Sequence, residues 1–240
     1  MSSIDQLKVK LFCDGADFDS IISMAKNPQI KGFTTNPTLM RKAGIENYEE
    51  FGRKVLAAVP DRPISLEVFA DDPEGMERQA RAIARWGSNV NVKIPVTNTK
   101  REFSGDVIRR LSSAGVELNV TAVLTLDQVR QIAEVLDPAT PAIVSVFAGR
   151  IADTGVDPVP MMQHALEILS SRPKAELLWA SPRELLNVFQ ADAIGCHIIT
   201  ATPDVLGKLK LVGKDLADYS LETVSMFYQD ARAAGYTING

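Results

Sequence analysis

Short apolar runs alternate with amphipathic stretches from one end of this 240-residue chain to the other. The runs are Val9–Cys13, Gly32–Thr35, Ile64–Phe69, Val90–Ile94, Val116–Val120, Ala142–Phe147, Ala175–Trp179 and His197–Thr200, and each reads as a buried strand. Helical patterning follows each of them, near 17–27, 47–59, 73–86, 102–114, 125–136, 157–171, 182–192 and 203–210. Asp72-Pro73-Glu74 makes a helix entry, with an N-cap carboxylate and a proline in the first turn. Thr125 followed by Gln128 resembles a capping box. Eight βα units joined by short connections predict a single (β/α)8 TIM barrel over residues 1–240, with a doubly wound open sheet as the alternative. No stretch rich in Gly, Pro or Ser divides the chain. An additional C-terminal helix, about 219–234, has Leu221, Val224, Phe227 and Tyr228 as its apolar positions. Such a helix either caps the barrel or packs on a neighbouring subunit, so a homo-oligomer is expected.

Composition narrows the function classes. A net charge of -4 with both signs interspersed argues against nucleic acid or an anionic membrane as partner. The start lacks the charged-then-apolar pattern of a signal peptide, and no apolar stretch approaches the length of a membrane span. Cys13 and Cys196 sit in apolar contexts and read as reduced thiols of a cytoplasmic protein. The two histidines, His164 and His197, have no metal-ligand spacing, and no metal or other cofactor is expected. His164 reads as a surface or interhelix residue, and His197 starts its strand at the end away from a barrel's chemistry. A glycine-rich phosphate loop, which an open-sheet nucleotide-binding protein would need, is missing.

In a barrel the chemistry gathers at the C-terminal ends of the strands. Reading those ends in order yields Asp14, then Thr34-Thr35-Asn36, then Glu67, Lys93, Asn119 with Thr121, Ser145 leading to Arg150, and Ser181 with Arg183. Lys93 is the most telling, because strand alternation puts Asn89, Asn91 and Lys93 on one face and Val90, Val92 and Ile94 on the other. A lysine taken out of water is expensive to keep charged, and as a free amine it adds to carbonyl compounds to form a Schiff base. Its bland alternative is a strand-end side chain reaching solvent. Asp14 has one too, as a cap for the helix near Asp17, and Glu67 as a structural ion pair. Asn36-Pro37 is a common turn dipeptide, and Arg150 and Arg183 could be solvated residues at helix starts. Arginine is poorly placed at a helix N-terminus unless an anion sits there as well. Taken together, an amine, two acid/base groups, hydroxyl-binding groups and two cations suit imine chemistry on a phosphorylated ketose. A non-catalytic barrel that binds a sugar phosphate is the alternative from another class.

Six motifs resemble those of the transaldolase family, including its short branch with the fructose-6-phosphate aldolases. They are Leu11–Asp14, Gly32–Pro37, Ser65–Val68, Val92–Thr97, Asn119–Thr121 and Ser145–Ile151, followed later by Ala180–Arg183. The resemblance implies a barrel of the class I aldolase type with Lys93 as the Schiff-base lysine and Asp14 as the acid/base. It implies a water held by Glu67 and Thr121 that shuttles protons. Asn36 and Asn119 would hold donor hydroxyls, Thr34, Ser145 and Phe147 would line the pocket, and Arg150, Ser181 and Arg183 would bind phosphate. Within the family, glutamate at position 67 accompanies transaldolases and glutamine the aldolases. Asn119, Ser145 and Phe147 also match the transaldolase set. The implied reaction moves a dihydroxyacetone unit from fructose 6-phosphate or sedoheptulose 7-phosphate to an aldose phosphate, as in the pentose phosphate pathway. An aldolase that releases dihydroxyacetone, or acts on another sugar, is the alternative. The chain departs from the family at Pro182, where an aromatic is common, and it is shorter than the long transaldolases. On chemical grounds, carboxylates beside Lys93 oppose loss of its proton, so at least one should be held off by water or by a donor such as Thr121.

Overall fold

The computed structural model describes residues 4–238. Eight parallel strands form a closed barrel in sequence order: β1 (Lys10–Asp14), β2 (Ile30–Thr34), β3 (Ile64–Glu67), β4 (Val90–Pro95), β5 (Leu118–Val123), β6 (Ala142–Val146), β7 (Ala175–Trp179) and β8 (Ile198–Ala201). Because β8 pairs back onto β1, with Phe12 beside Thr200, the open-sheet alternative is excluded. The helices are α1 (Phe18–Ala25), α2 (Pro37–Lys42), α3 (Tyr48–Ala58), α4 (Pro73–Ile83), α5 (Gly105–Ser113), α6 (Leu126–Val135), α7 (Ala148–Ala152), α8 (Pro158–Leu169), α9 (Leu186–Ala193), α10 (Pro203–Leu206) and α11 (Leu216–Ala233).

Local chemistry explains most boundaries. Asp72 caps α4 by accepting from the Gly75 N–H, and Thr125 and Gln128 form the reciprocal capping box of α6. Asp17 caps α1 itself, which leaves Asp14 free of that duty. Two short helices, α2 and α7, lie outside the helical stretches expected from the sequence, α2 where Asn36-Pro37 reads as a turn. Both follow strand ends directly, and each has too few residues for helical periodicity to register. The expected helix near 203–210 divides into α10 and a tighter 3-10 turn over Gly207–Leu211. β5 runs three residues further than expected, through an irregular register between Val120 and Val123, with Ala122 at a φ of 61°.

Alternation divides the strands' side chains between two apolar regions. The outward set, including Leu11, Phe33, Leu66, Val92, Ile94, Val120, Val144 and Ile199, packs against the helices in one extensive core. The inward apolar set is small: Phe12, Ile143, Leu178 and Ile198, with Ala180 above them. Gly32 exists for this plug, since a Cβ there would lie 2.5 Å from Phe12 Cζ. Above the plug the barrel lining turns polar. α11 lies outside all of this, with no buried residue and with Leu221, Val224, Phe227 and Tyr228 more than half exposed. Among the described residues, no helix is long and apolar enough to cross a membrane.

Candidate active site

A cavity of about 560 Å3 opens above the plug, at the C-terminal ends of the strands. All twelve residues singled out in the sequence line it: Asp14, Thr34, Asn36, Glu67, Lys93, Asn119, Thr121, Ser145, Phe147, Arg150, Ser181 and Arg183. Ordinary strand pairing assembles the base of the cavity. Glu67 is the register partner of Lys93, and Lys93 that of Asn119, so three adjacent strands place these side chains at one level.

Lys93 is only 6% exposed. Its Nζ donates to the Thr35 carbonyl at 2.7 Å and lies 3.1 Å from Glu67 Oε2. Glu67 touches the lysine directly, whereas Asp14 is the carboxylate held by a hydroxyl donor, here Thr34. The buried Thr121 hydroxyl, the donor the sequence suggested, has no hydrogen-bond partner among the described residues. A lysine reaching bulk solvent is excluded.

Asp14 accepts a hydrogen bond from Thr34 Oγ1 at 2.7 Å. Burial pushes its carboxyl above the ordinary carboxylate range, the charge of Lys93 and the Thr34 hydroxyl pull the other way, and Glu67 adds to the rise. Asn36 caps α2 through its carbonyl oxygen, which accepts from the Leu39 N–H at 3.0 Å, so its amide nitrogen is left for a ligand. Asn119 is held on both sides, donating to Ser65 Oγ at 3.0 Å and accepting from Ser145 Oγ at 2.6 Å. Such a braced amide presents its remaining donor and lone pair in a fixed direction. Burial pushes the Cys13 and Cys196 thiols up to about 12, so neither offers a thiolate. His197 accepts from the Leu177 N–H at the opposite end of the barrel.

One corner of the mouth carries the cations. Arg150 stands over the Phe147 ring, 5.5 Å from its centroid. Arg183 is exposed, as the sequence allows, and it also grips both oxygens of Asp153 and donates to Ser181 Oγ at 3.1 Å. Two of its five N–H donors remain uncommitted. The corner is drawn together by Gly149 of α7. A Cβ on Gly149 would sit 1.5 Å from the Ser181 carbonyl oxygen, and Ser181 itself has a φ of 61°.

Three lining or supporting residues escaped the sequence reading. Ser65 and Thr200 lie on the inward face by the same alternation that picks out Glu67, and could have been found that way. Lys42 reaches the mouth from the end of α2, a helix signalled in the sequence only by its Asn36-Pro37 entry.

Comparison with known proteins places this geometry in context. The family model described as transaldolase/fructose-6-phosphate aldolase matches residues 11–239. A protein described as a probable transaldolase, from Thermoanaerobacter sp. (strain X514), is 34% identical over 231 residues, covering 96% of this chain and 100% of its own length. Another with that description, from Dehalococcoides mccartyi, is 35% identical over 199 residues, covering 82% of this chain and 88% of its own. Among solved structures, KGPDC from Streptococcus mutans superposes with a TM-score of 0.55 at 12% identity, covering 83% of this chain and 89% of that one. That likeness shows the fold alone.

Proposed function

The chain belongs to the transaldolase/fructose-6-phosphate aldolase family, and on that premise we propose that it is a transaldolase that works through a Schiff base on Lys93. The observation that carries this reading is the amine itself, buried at the base of a polar cavity with a carboxylate 3.1 Å away.

The pair needs only one proton between its members. Transfer from the Lys93 ammonium to Glu67 yields a neutral amine and a neutral acid with no change in net charge. The amine adds to the C2 carbonyl of a ketose phosphate. Glu67, directly or through a water beside Thr121, returns the proton to the new hydroxyl, which leaves as water and creates the iminium. Asp14 then takes the C4 hydroxyl proton as the C3–C4 bond breaks. The electron pair of that bond flows into the iminium, which becomes an enamine, and the aldose phosphate departs with C4 as its aldehyde. An incoming aldose phosphate is attacked by the enamine, Asp14 returns its proton to the new alcohol, and hydrolysis of the imine frees the product ketose. The iminium serves as electron sink throughout, so the chemistry calls for no metal. Asn36 and the braced Asn119 suit the donor's hydroxyls, with Ser145 and Phe147 as walls, while Arg150, Ser181 and Arg183 suit the phosphate.

Fructose 6-phosphate or sedoheptulose 7-phosphate is the donor on this reading, within pentose phosphate metabolism of the cytoplasm. The exposed apolar residues of α11 support a homo-oligomer, which light scattering of the purified protein tests directly. The decisive experiment for the chemistry is borohydride reduction in the presence of fructose 6-phosphate, followed by peptide mass spectrometry. The adduct belongs on Lys93 and disappears in Lys93→Ala, along with turnover. An adduct on another lysine, or none, refutes the mechanism. Assay with and without erythrose 4-phosphate separates transfer from release of free dihydroxyacetone.

A further inference from the structure

We propose that Thr200 is a positioning residue for the reaction assigned above, acting on Asp14 through Thr34. The inference rests on that reading of the site. β1 lies between β2 and β8 in the barrel, and the side chains of Thr34 and Thr200 meet in front of it. Their hydroxyl oxygens are 2.6 Å apart and both residues are buried, at 3% and 5% exposure. Thr34 Oγ1 in turn stands 2.7 Å from Asp14 Oδ1.

Proton counting orders this chain. An ionised Asp14 only accepts, so Thr34 spends its single hydroxyl proton on Oδ1. The contact between the two threonines must then be donated by Thr200. Each donation polarises the next, so the hydroxyl of Thr200 strengthens the bond that Thr34 makes to the carboxylate. With Oδ1 occupied, Oδ2 is the oxygen left to receive the C4 hydroxyl proton, and Asp14 enters the reaction with one defined basic atom. The Phe12 plug is the register partner of Thr200 on one side and of Gly32 on the other, and its ring offers these hydroxyls no competing partner.

The groups facing Asp14 are Lys93 from β4, Glu67 from β3 and Thr34 from β2, while its chain neighbour Cys13 points to the outer core. Of these, Lys93 and Thr34 favour the carboxylate, while Glu67 and burial disfavour it. Removing the Thr200 hydroxyl weakens a favourable contribution. The Asp14-dependent acid limb of the pH–rate profile should therefore move to higher pH.

Thr200→Val deletes the hydroxyl at nearly constant volume. The expected result is a displaced acid limb in kcat/KM, with a roughly three- to tenfold loss on the limb that shrinks towards the plateau. KM changes little, the borohydride adduct on Lys93 still forms, and Thr200→Ser restores the parental limb. If the valine variant does not fold, Thr200→Ala is compared with Thr200→Ser in the same way. An unmoved limb alongside a normal adduct overturns the role of Thr200, as does failure of serine to restore it. Absence of an adduct in the parent protein overturns the Schiff-base reading instead.

Discussion

Lys93 and Glu67 are register partners on adjacent strands, and their charged ends meet 3.1 Å apart with little access to water. A nucleophilic amine needs its proton removed, and a carboxylate at this distance attracts the protonated form. On the mechanism proposed above, Glu67 is the acceptor of that proton and so takes part in forming the imine.

Glu67→Gln retains the shape but not the basicity. It should slow imine formation by about 100-fold or more, the usual scale for loss of a general base. In keeping with the family pattern at this position, the share of product appearing as free dihydroxyacetone should rise. Single-turnover trapping measures the first effect and coupled assay with erythrose 4-phosphate the second. A variant with parental rate and partition would show Glu67 to be purely structural.

Arg183 is tied to Asp153 at the mouth. A phosphate must compete with that carboxylate or use the remaining donors. Arg183→Ala should raise KM for phosphorylated acceptors by about 10- to 100-fold, the loss of a charge-assisted contact. Unphosphorylated glyceraldehyde should be almost unaffected. Asp153→Asn frees the guanidinium and should leave KM unchanged or lower it. Equal damage from both substitutions, with both substrates, would make the pair a loop tether and nothing more.

Gly149→Ala drives a methyl into the Ser181 carbonyl, which is backbone and has no rotamer to escape through. The cost should be about 3 kcal/mol, near the upper end for overpacking. Because Ser181 and Arg183 move with the strand end, KM for phosphorylated substrates should rise more than kcat falls. Urea denaturation and steady-state kinetics check the two parts.

Burial holds the Asp14 carboxyl above the range it has in an unfolded chain, so the folded protein binds this proton more tightly. The sign follows from linkage. Asp14 supports the fold below the unfolded value, and that support is lost as pH rises through the window up to the raised folded value. Asp14→Asn, which cannot ionise, should therefore be inactive yet more stable than the parent at pH 8. A gain of about 1 kcal/mol, or about 2–4 °C in Tm, is the scale expected when a functional strain is relieved. The gain should vanish in acid. Thermal melts at pH 8 and pH 4 decide the matter, and a variant that is less stable at both refutes it.

Much of this architecture is written in the spacing of apolar residues. Period-two alternation located Lys93 on an inward face, and reading the polar residues at the C-terminal ends of the strands located Glu67 and Asn119 beside it. Alternation also reaches Ser65 and Thr200, which a search for reactive side chains passes over. What alternation does not encode is contact between strands. The direct Lys93–Glu67 pair, the Asp153 clasp on Arg183 and the approach of Gly149 to Ser181 depend on register and on φ angles, which a linear pattern does not carry. α2 and α7 stayed hidden because they span six and five residues.

The ring of Phe12, seated over Gly32, makes the barrel a cup rather than a pipe. Below it lies a separate hollow of about 360 Å3 rimmed by Lys10, Lys31 and Lys174. On the mechanism proposed above, sugars, aldehydes and the water that ends the cycle would all approach the enamine from the mouth above this floor, so an occupant there would delay the next arrival.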